Sequence, residues 1–162
     1  MELQDLIIRF SDGREAQGKA IFSSLFILGN RLQTLFDQRI PELSLKQFML
    51  LSIVRQASEP MPLTHLGDLL GCSRQNVKKL GAALEKKGFV SFQCSPTDER
   101  ALCIHLTQKA EDYFAGEFTP YQQELACLFA GYTDEEVHLL FTLLSRLYQG
   151  VENLGRQGKE RT

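Results

Sequence analysis

The chain has 162 residues, 43% of them hydrophobic and 23% charged, and its formal net charge is −2. This composition is typical of a globular protein that buries a hydrophobic core. No apolar run approaches the roughly 18 to 20 residues that a membrane span needs, and the acidic first residues lack signal-peptide character. We therefore expect a cytoplasmic protein that has no contact with a membrane.

The sequence lacks the motifs that an enzyme or a metal site needs. Its four cysteines and three histidines show no C-x-x-C, H-E-x-x-H or zinc-ribbon spacing. A nucleophile elbow, a phosphate-binding glycine loop and a dinucleotide fingerprint are also missing. We predict that the protein is not an enzyme, has no catalytic residues, binds no metal or cofactor, and keeps its cysteines as reduced thiols.

A long amphipathic helix is predicted between a break at residues 11–13 and Pro41. Its apolar residues recur at three- and four-residue steps: Ile21, Phe22, Leu25, Phe26, Leu28, Leu32 and Leu35. This face is wider than contact with one helix requires, which is typical of a helix that is buried on two sides.

Three shorter helices are predicted next. Ser44 is a good N-cap for the first of them, and a turn at residues 59–62 separates it from the second. The second helix is short and stops at Gly71. Ser73 caps the third, which ends at Gly88 in the position that favours a left-handed C-cap.

The sequence pattern that is typical of β-strands appears only after these helices. Residues 89–92 and 102–106 alternate with a period of two around a polar tip, which predicts a β-hairpin. A fifth helix follows from Thr107 and is predicted to be interrupted at Pro120. A capping box that begins at Thr133 opens the last helix. The apolar face of this last helix contains Val137, Leu140, Phe141, Leu144, Leu147, Tyr148 and Val151.

The charge is distributed unevenly along the chain. Residues 72–109 contain seven Lys and Arg but only three Asp and Glu, whereas residues 110–162 contain four basic and nine acidic side chains. Binding to phosphates depends on local charge rather than on the total. A basic middle segment between neutral and acidic flanks therefore favours DNA binding, although a charged run by itself is often only a solvated face.

The second and third short helices have the size of a helix-turn-helix, in which the first turn of the second helix enters the major groove. Polar side chains occupy that turn here: Ser73, Arg74, Gln75 and Asn76, followed by Lys78 and Lys79. Arg pairs bidentately with guanine, and Asn or Gln with adenine. Lys78 and Lys79, together with Lys86 and Lys87, are expected to contact phosphates.

The tip of the hairpin gives a second indication of DNA binding. Arg100 can enter a narrow minor groove from an extended loop, and Asp98 can orient its guanidinium group through a charge-assisted pair. The tip, residues 93–101, contains no other basic residue.

Together these segments resemble the MarR family of bacterial winged-helix regulators. The combination that carries the resemblance is L-E-K-K-G-F-V, then D-E-R, then L-T-Q-K-A, within residues 84–110. The resemblance implies a mainly α fold with a small β-hairpin wing, in which residues 44–107 form the winged helix-turn-helix. Residues 1–40 and 108–162 would form the helices of a homodimer. Such a dimer binds a pseudo-palindromic operator of double-stranded DNA, most often as a transcriptional repressor.

In many members of this family a small-molecule effector binds in a crevice beside the dimer helices. Candidate walls here are Phe22, Phe26, Phe48, Tyr113 and Phe114, although aromatic residues at helical spacing are more often core residues.

Because the predicted wing has a single basic residue, Arg100, one alternative stays open. It is a winged-helix module that binds protein and does not bind specific DNA. Oxidation of Cys72 or Cys94 is a minor hypothesis.

Overall fold

The structure, a computed structural model, describes residues 5, 12–39, 42–95, 101–116 and 118–160. It divides into two compact units, Met1–Glu117 and Phe118–Thr162. The first contains α1 (Arg14–Arg39), α2 (Leu45–Gln56), α3 (Leu63–Leu70), α4 (Arg74–Lys86), β1 (Val90–Cys94), β2 (Leu102–Leu106) and α5 (Gln108–Gly116). The second contains α6 (Phe118–Phe129) and α7 (Asp134–Glu160). The predicted fold class, mainly α with one hairpin, is confirmed.

Helix α1 begins where the sequence predicts, directly after Gly13, whose φ of +84° lies in the left-handed region. Near its end, the carboxylate of Asp37 accepts a hydrogen bond from the Leu45 amide at 2.5 Å and so joins α1 to α2. Phe36 is buried. Most of the predicted apolar stripe is exposed: Ile21, Phe22, Leu25, Phe26, Leu28 and Leu35.

The core of the first unit is formed by α2, α3, α4, α5 and the hairpin. Its largest fully buried side chains are Leu50, Leu51, Leu63, Leu66, Val77, Leu84, Phe89, Val90, Cys103 and Ile104. Aromatic rings extend this core, with Phe48 and Phe114 at 5.8 Å between centroids and Phe89 edge-on to Tyr113 at 5.6 Å. Three of the five aromatic residues that were candidates for lining an effector site, Phe48, Tyr113 and Phe114, are therefore core residues. This is the more frequent role of aromatic residues at helical spacing.

Local side-chain and backbone geometry fixes the predicted helix-turn-helix. Gly71 ends α3 with a φ of +65°, and the Cys72 amide donates to the Gly67 carbonyl oxygen at 2.9 Å. The Ser73 hydroxyl then accepts a hydrogen bond from the Asn76 amide at 3.2 Å, which caps α4. The chain passes so close to Gly67 that a Cβ there would lie 2.6 Å from the Cys72 carbonyl oxygen.

Strands β1 and β2 form an antiparallel hairpin in which Val90 pairs with Leu106 and Cys94 with Leu102. Its base is tied to the end of α4, because the Thr107 hydroxyl donates to the Gly88 carbonyl oxygen at 2.6 Å. The Ser95 amide donates to the Ala101 carbonyl oxygen at 2.7 Å and continues the pairing past the strands. The hairpin is thus confirmed, with β1 extending two residues beyond its predicted end.

The second unit consists of two helices. The predicted capping box of α7 is confirmed: the Glu136 amide donates to the Thr133 hydroxyl at 3.2 Å, and the Thr133 amide donates to the Glu136 carboxylate at 2.9 Å. Hydrogen bonds to the Glu135 backbone and the Thr133 hydroxyl lower the pKa of the Glu135 carboxyl. Among the described residues, no helix has both the length and the hydropathy of a membrane span.

The predicted interruption at Pro120 is wrong in position. Helix α5 ends at Gly116, and α6 starts at Phe118 and includes Pro120. Proline is tolerated in the first turn of a helix because the amide groups there have no partner within the helix.

Replacing Gly67 should damage this fold at the turn. In Gly67→Ala the new methyl group meets backbone, which cannot move aside as a side chain can, so we expect the free energy of unfolding to fall by about 1 to 3 kcal/mol. In the control Gly18→Ala nothing lies within 4 Å of the added Cβ, and the helix gains up to about 1 kcal/mol. Urea denaturation at one fixed protein concentration measures both. Equal stability of the two variants would contradict the close approach at Gly67.

Candidate nucleic-acid interface

Helix α4 has one buried side and one exposed side. Val77, Gly81 and Leu84 recur at four- and three-residue steps and are buried. Because their spacing matches the helical period, they hold one face of α4 against the core. The remaining side chains of its first two turns are left on the surface.

Those surface side chains are the residues that the sequence predicts for DNA binding: Ser73, Arg74, Gln75, Asn76, Lys78 and Lys79, all of them exposed. Residues 74–84 contain three basic residues and no acidic one. Within the part of the chain that the structure describes, Arg74, Lys78 and Lys79 have no ion pair. Their charges are therefore available to an anionic partner at the end of the helix where backbone amides also point outwards.

Lys87, another predicted phosphate contact, also makes hydrogen bonds within the protein. Its ammonium group donates to the Glu42 carbonyl oxygen and to Oε1 of Gln47, the latter at 3.0 Å. Lys109 lies beside it, donating to the Lys87 carbonyl oxygen at 3.1 Å and lying 3.5 Å from the Glu42 carboxylate. Lys87 thus joins the end of α4 to the start of α2, and its contact with phosphate stays a prediction.

The two predicted wing residues, Asp98 and Arg100, lie outside the described residues. The structure shows the base from which they extend, since the hairpin is paired up to Ser95 and Ala101. Five residues connect these two positions. Their roles remain predictions.

Sequence reasoning missed the way in which α4 holds the hairpin. A Cβ on Gly81 would lie 2.6 Å from Cζ of Phe92 and 3.0 Å from Cδ1 of Ile104. A glycine on the buried side of a helix is the available signal for such a close approach. The carboxylate of Glu85 also accepts a hydrogen bond from the Phe92 amide at 3.2 Å, and no sequence pattern indicates this contact.

Comparison with known proteins identifies the fold. The sequence profile of the MarR family matches residues 43–102. A probable transcriptional regulator from Pseudomonas aeruginosa is 25% identical, covers 75% of this chain and 94% of its own, and has a TM-score of 0.66. The MarR protein from Peptoclostridium difficile DA00132 is 22% identical over 82% of this chain and 88% of its own, with a TM-score of 0.73. The part of the chain from residue 43 to residue 102 is therefore similar to the MarR family of winged-helix regulators.

A third structure, of Bordetella bronchiseptica BpsR, is 19% identical over 79% of this chain and 92% of its own, with a TM-score of 0.68. That structure concerns the regulation of BpsR DNA binding by 6-hydroxynicotinic acid. The family match and the similarity to the Pseudomonas aeruginosa regulator support a DNA-binding transcriptional regulator with a winged-helix fold.

Two substitutions of Ser73 should separate the capping of α4 from the predicted contact of its N-terminus with DNA. Ser73→Ala removes the cap, and we expect the free energy of unfolding to fall by about 1 kcal/mol. Ser73→Asp retains a capping oxygen and should keep the stability, but its negative charge opposes phosphate, so the affinity for DNA should fall. Urea denaturation and fluorescence anisotropy with labelled duplex measure the two effects. Unchanged DNA affinity in the Asp variant would contradict an N-terminus of α4 that faces DNA.

Proposed function

We propose that the protein is a sequence-specific transcriptional repressor that binds a pseudo-palindromic operator of double-stranded DNA as a homodimer. The observation that carries the proposal is the first turn of α4, where Arg74, Gln75 and Asn76 are exposed beside a buried face that fixes the helix. These three side chains have the donors and acceptors that distinguish base pairs in the major groove. Lys78 and Lys79 supply phosphate contacts one turn further on.

Residues 44–107 act as the DNA-binding module in this proposal, and Asp98 with Arg100 places a guanidinium group in the minor groove. The alternative is a winged-helix module that binds protein. A protein-binding face usually presents large aromatic anchors in an apolar surround. The exposed side of α4 is polar and basic instead, which favours nucleic acid.

The homodimer is supported by two long helices with exposed apolar side chains, one in each unit. In α1 this set includes Phe22 at 78% and Phe26 at 73% exposure. In α7 it includes Leu139, Phe141, Leu143, Leu144, Tyr148, Val151 and Leu154. A water-soluble chain rarely leaves so many large apolar groups in solvent, and residues 1–40 and 108–162 are accordingly assigned to a dimer interface.

A small-molecule effector completes the proposal. Its support is the similarity to BpsR, whose DNA binding is regulated by 6-hydroxynicotinic acid. A ligand releases DNA only to the extent that it binds one conformation of the protein more tightly than another. A change of operator affinity in a screen of small aromatic acids would identify the effector class for this chain.

The base-reading and phosphate-binding roles on α4 predict different effects of substitution. Arg74→Ala should cost about 1 to 3 kcal/mol of affinity for the operator and much less for a scrambled duplex. Lys79→Ala should weaken binding to both duplexes and reduce the slope of log affinity against log salt by about 1 per protomer. Fluorescence anisotropy across a salt series measures both. The control is Lys19→Ala, since Lys19 pairs with Glu15 in α1 at 2.7 Å.

We expect the Lys19→Ala control to bind both duplexes like the unsubstituted protein. An equal loss of affinity for operator and scrambled DNA in Arg74→Ala would contradict base reading by this residue. Retention of full binding by both α4 variants would favour the protein-interaction alternative.

The dimer is tested on α7 with two variants of matched spacing. Leu144 and Val151 lie seven residues apart on its apolar side, and Thr142 and Gln149 lie seven apart on its polar side. Leu144→Glu with Val151→Glu should raise the dimer dissociation constant at least tenfold, because buried carboxylates lose their hydration. Thr142→Glu with Gln149→Glu should leave it unchanged. Sedimentation velocity gives the dissociation constants, and equal values for the two variants would contradict an interface on this face.

A further inference from the structure

The contact between helix α4 and strand β1 joins the two parts of the molecule that are proposed to bind DNA. On the α4 side, Gly81 allows the helix to approach the hairpin so closely that any side chain there would displace Phe92 or Ile104. Phe92 and Ile104 are partners in the β1–β2 register. The helix therefore packs against the central pair of the hairpin.

One polar contact reinforces this packing. The Glu85 carboxylate, one helical turn after Gly81, accepts a hydrogen bond from the Phe92 backbone amide at 3.2 Å. Hydrogen bonds to an ionised acceptor are stronger than those between neutral groups. Because the acceptor is on α4 and the donor is backbone of β1, the bond limits the distance and the angle between the recognition helix and the hairpin.

Glu85 is also the only acidic residue in the sequence of α4. A carboxylate near the DNA backbone opposes phosphate binding, so Glu85 contributes nothing favourable to DNA affinity through its charge. Its contact with the Phe92 amide gives it a different role. The Ser95–Ala101 pairing lies three residues beyond Phe92, so a rotation of the strand at Phe92 moves the base of the wing tip.

We propose that Glu85 is a positioning residue, which holds the wing in the orientation that lets its tip and α4 contact the same DNA site. This inference rests on the proposed DNA-binding function. It assigns to Glu85 the coupling between the two contacts, through the Phe92 amide, and no direct contact with DNA.

The test compares Glu85→Gln with Glu85→Ala. Both variants remove the charge, but glutamine keeps an oxygen that can accept the Phe92 hydrogen bond, so the difference between them isolates the bond. Amide hydrogen exchange, measured without DNA, should be faster at Phe92 in the Ala variant than in the Gln variant. We expect the Ala variant to bind operator about fivefold more weakly than the Gln variant, as expected for one hydrogen bond of ordinary net strength.

A double-mutant cycle distinguishes positioning from a general loss of stability. The fivefold effect of Glu85→Ala relative to Glu85→Gln should disappear when Arg100→Ala has already removed the proposed wing contact. It should persist in an Arg74→Ala background, because Arg74 acts from α4 itself. A merely structural role would give the same ratio in both backgrounds and would overturn the proposal, as would equal exchange at Phe92 in the two variants.

Failure of the proposed function gives a separate result. If the unsubstituted protein prefers no DNA sequence, the regulator assignment fails while the exchange comparison still reports on the bond. If the unsubstituted protein binds operator specifically and the Gln and Ala variants bind it equally, the regulator stands and the role of Glu85 is refuted.

Discussion

The burial of one side of helix α4 is the constraint on which the rest of the molecule depends. Val77 and Leu84 are fully buried, and each contributes about 1.5 to 3 kcal/mol relative to exposure. Gly81 lies between them and brings the helix against the hairpin. Because this face is buried, the helical period leaves the polar end of α4 in solvent. The packing that stabilises the core therefore also exposes the side chains that are proposed to bind DNA.

Local charge then explains how a chain with a net charge of −2 suits a nucleic-acid partner. Arg74, Lys78 and Lys79 lie on the first two turns of α4 and have no ion pair among the described residues, whereas several basic residues elsewhere make contacts within the protein. Lys87 and Lys109 bind the start of α2, and Arg55 lies over the Phe114 ring at 4.7 Å and pairs with Glu111 at 3.4 Å. The first two turns of α4 therefore present three basic side chains and no acidic one, although the chain as a whole is slightly acidic.

The helix ends and the buried side of α4 could be predicted from the sequence because they depend on residues that are close together in the chain. Ser73, Gly71 and Gly88 fix helix ends through contacts within a few residues, and the period of Val77 and Leu84 gives the buried side of α4. Contacts between different elements were missed: Lys87 binds a carbonyl oxygen 45 residues away, and Glu85 binds the amide of Phe92 in the neighbouring strand, which no sequence pattern indicates. Pro120 was misjudged because proline disrupts the middle of a helix but not its first turn.

The central claim, that α4 of a symmetric dimer reads the sequence of DNA, is tested most directly by selection from a pool of random duplexes with the full chain at about 0.15 M salt. The account predicts enrichment of a pseudo-palindrome whose half-sites are centred about one helical turn, roughly 10 base pairs, apart. It also predicts two protomers per selected duplex. Recovery of duplexes without a common sequence, bound weakly and with equal affinity, would contradict it.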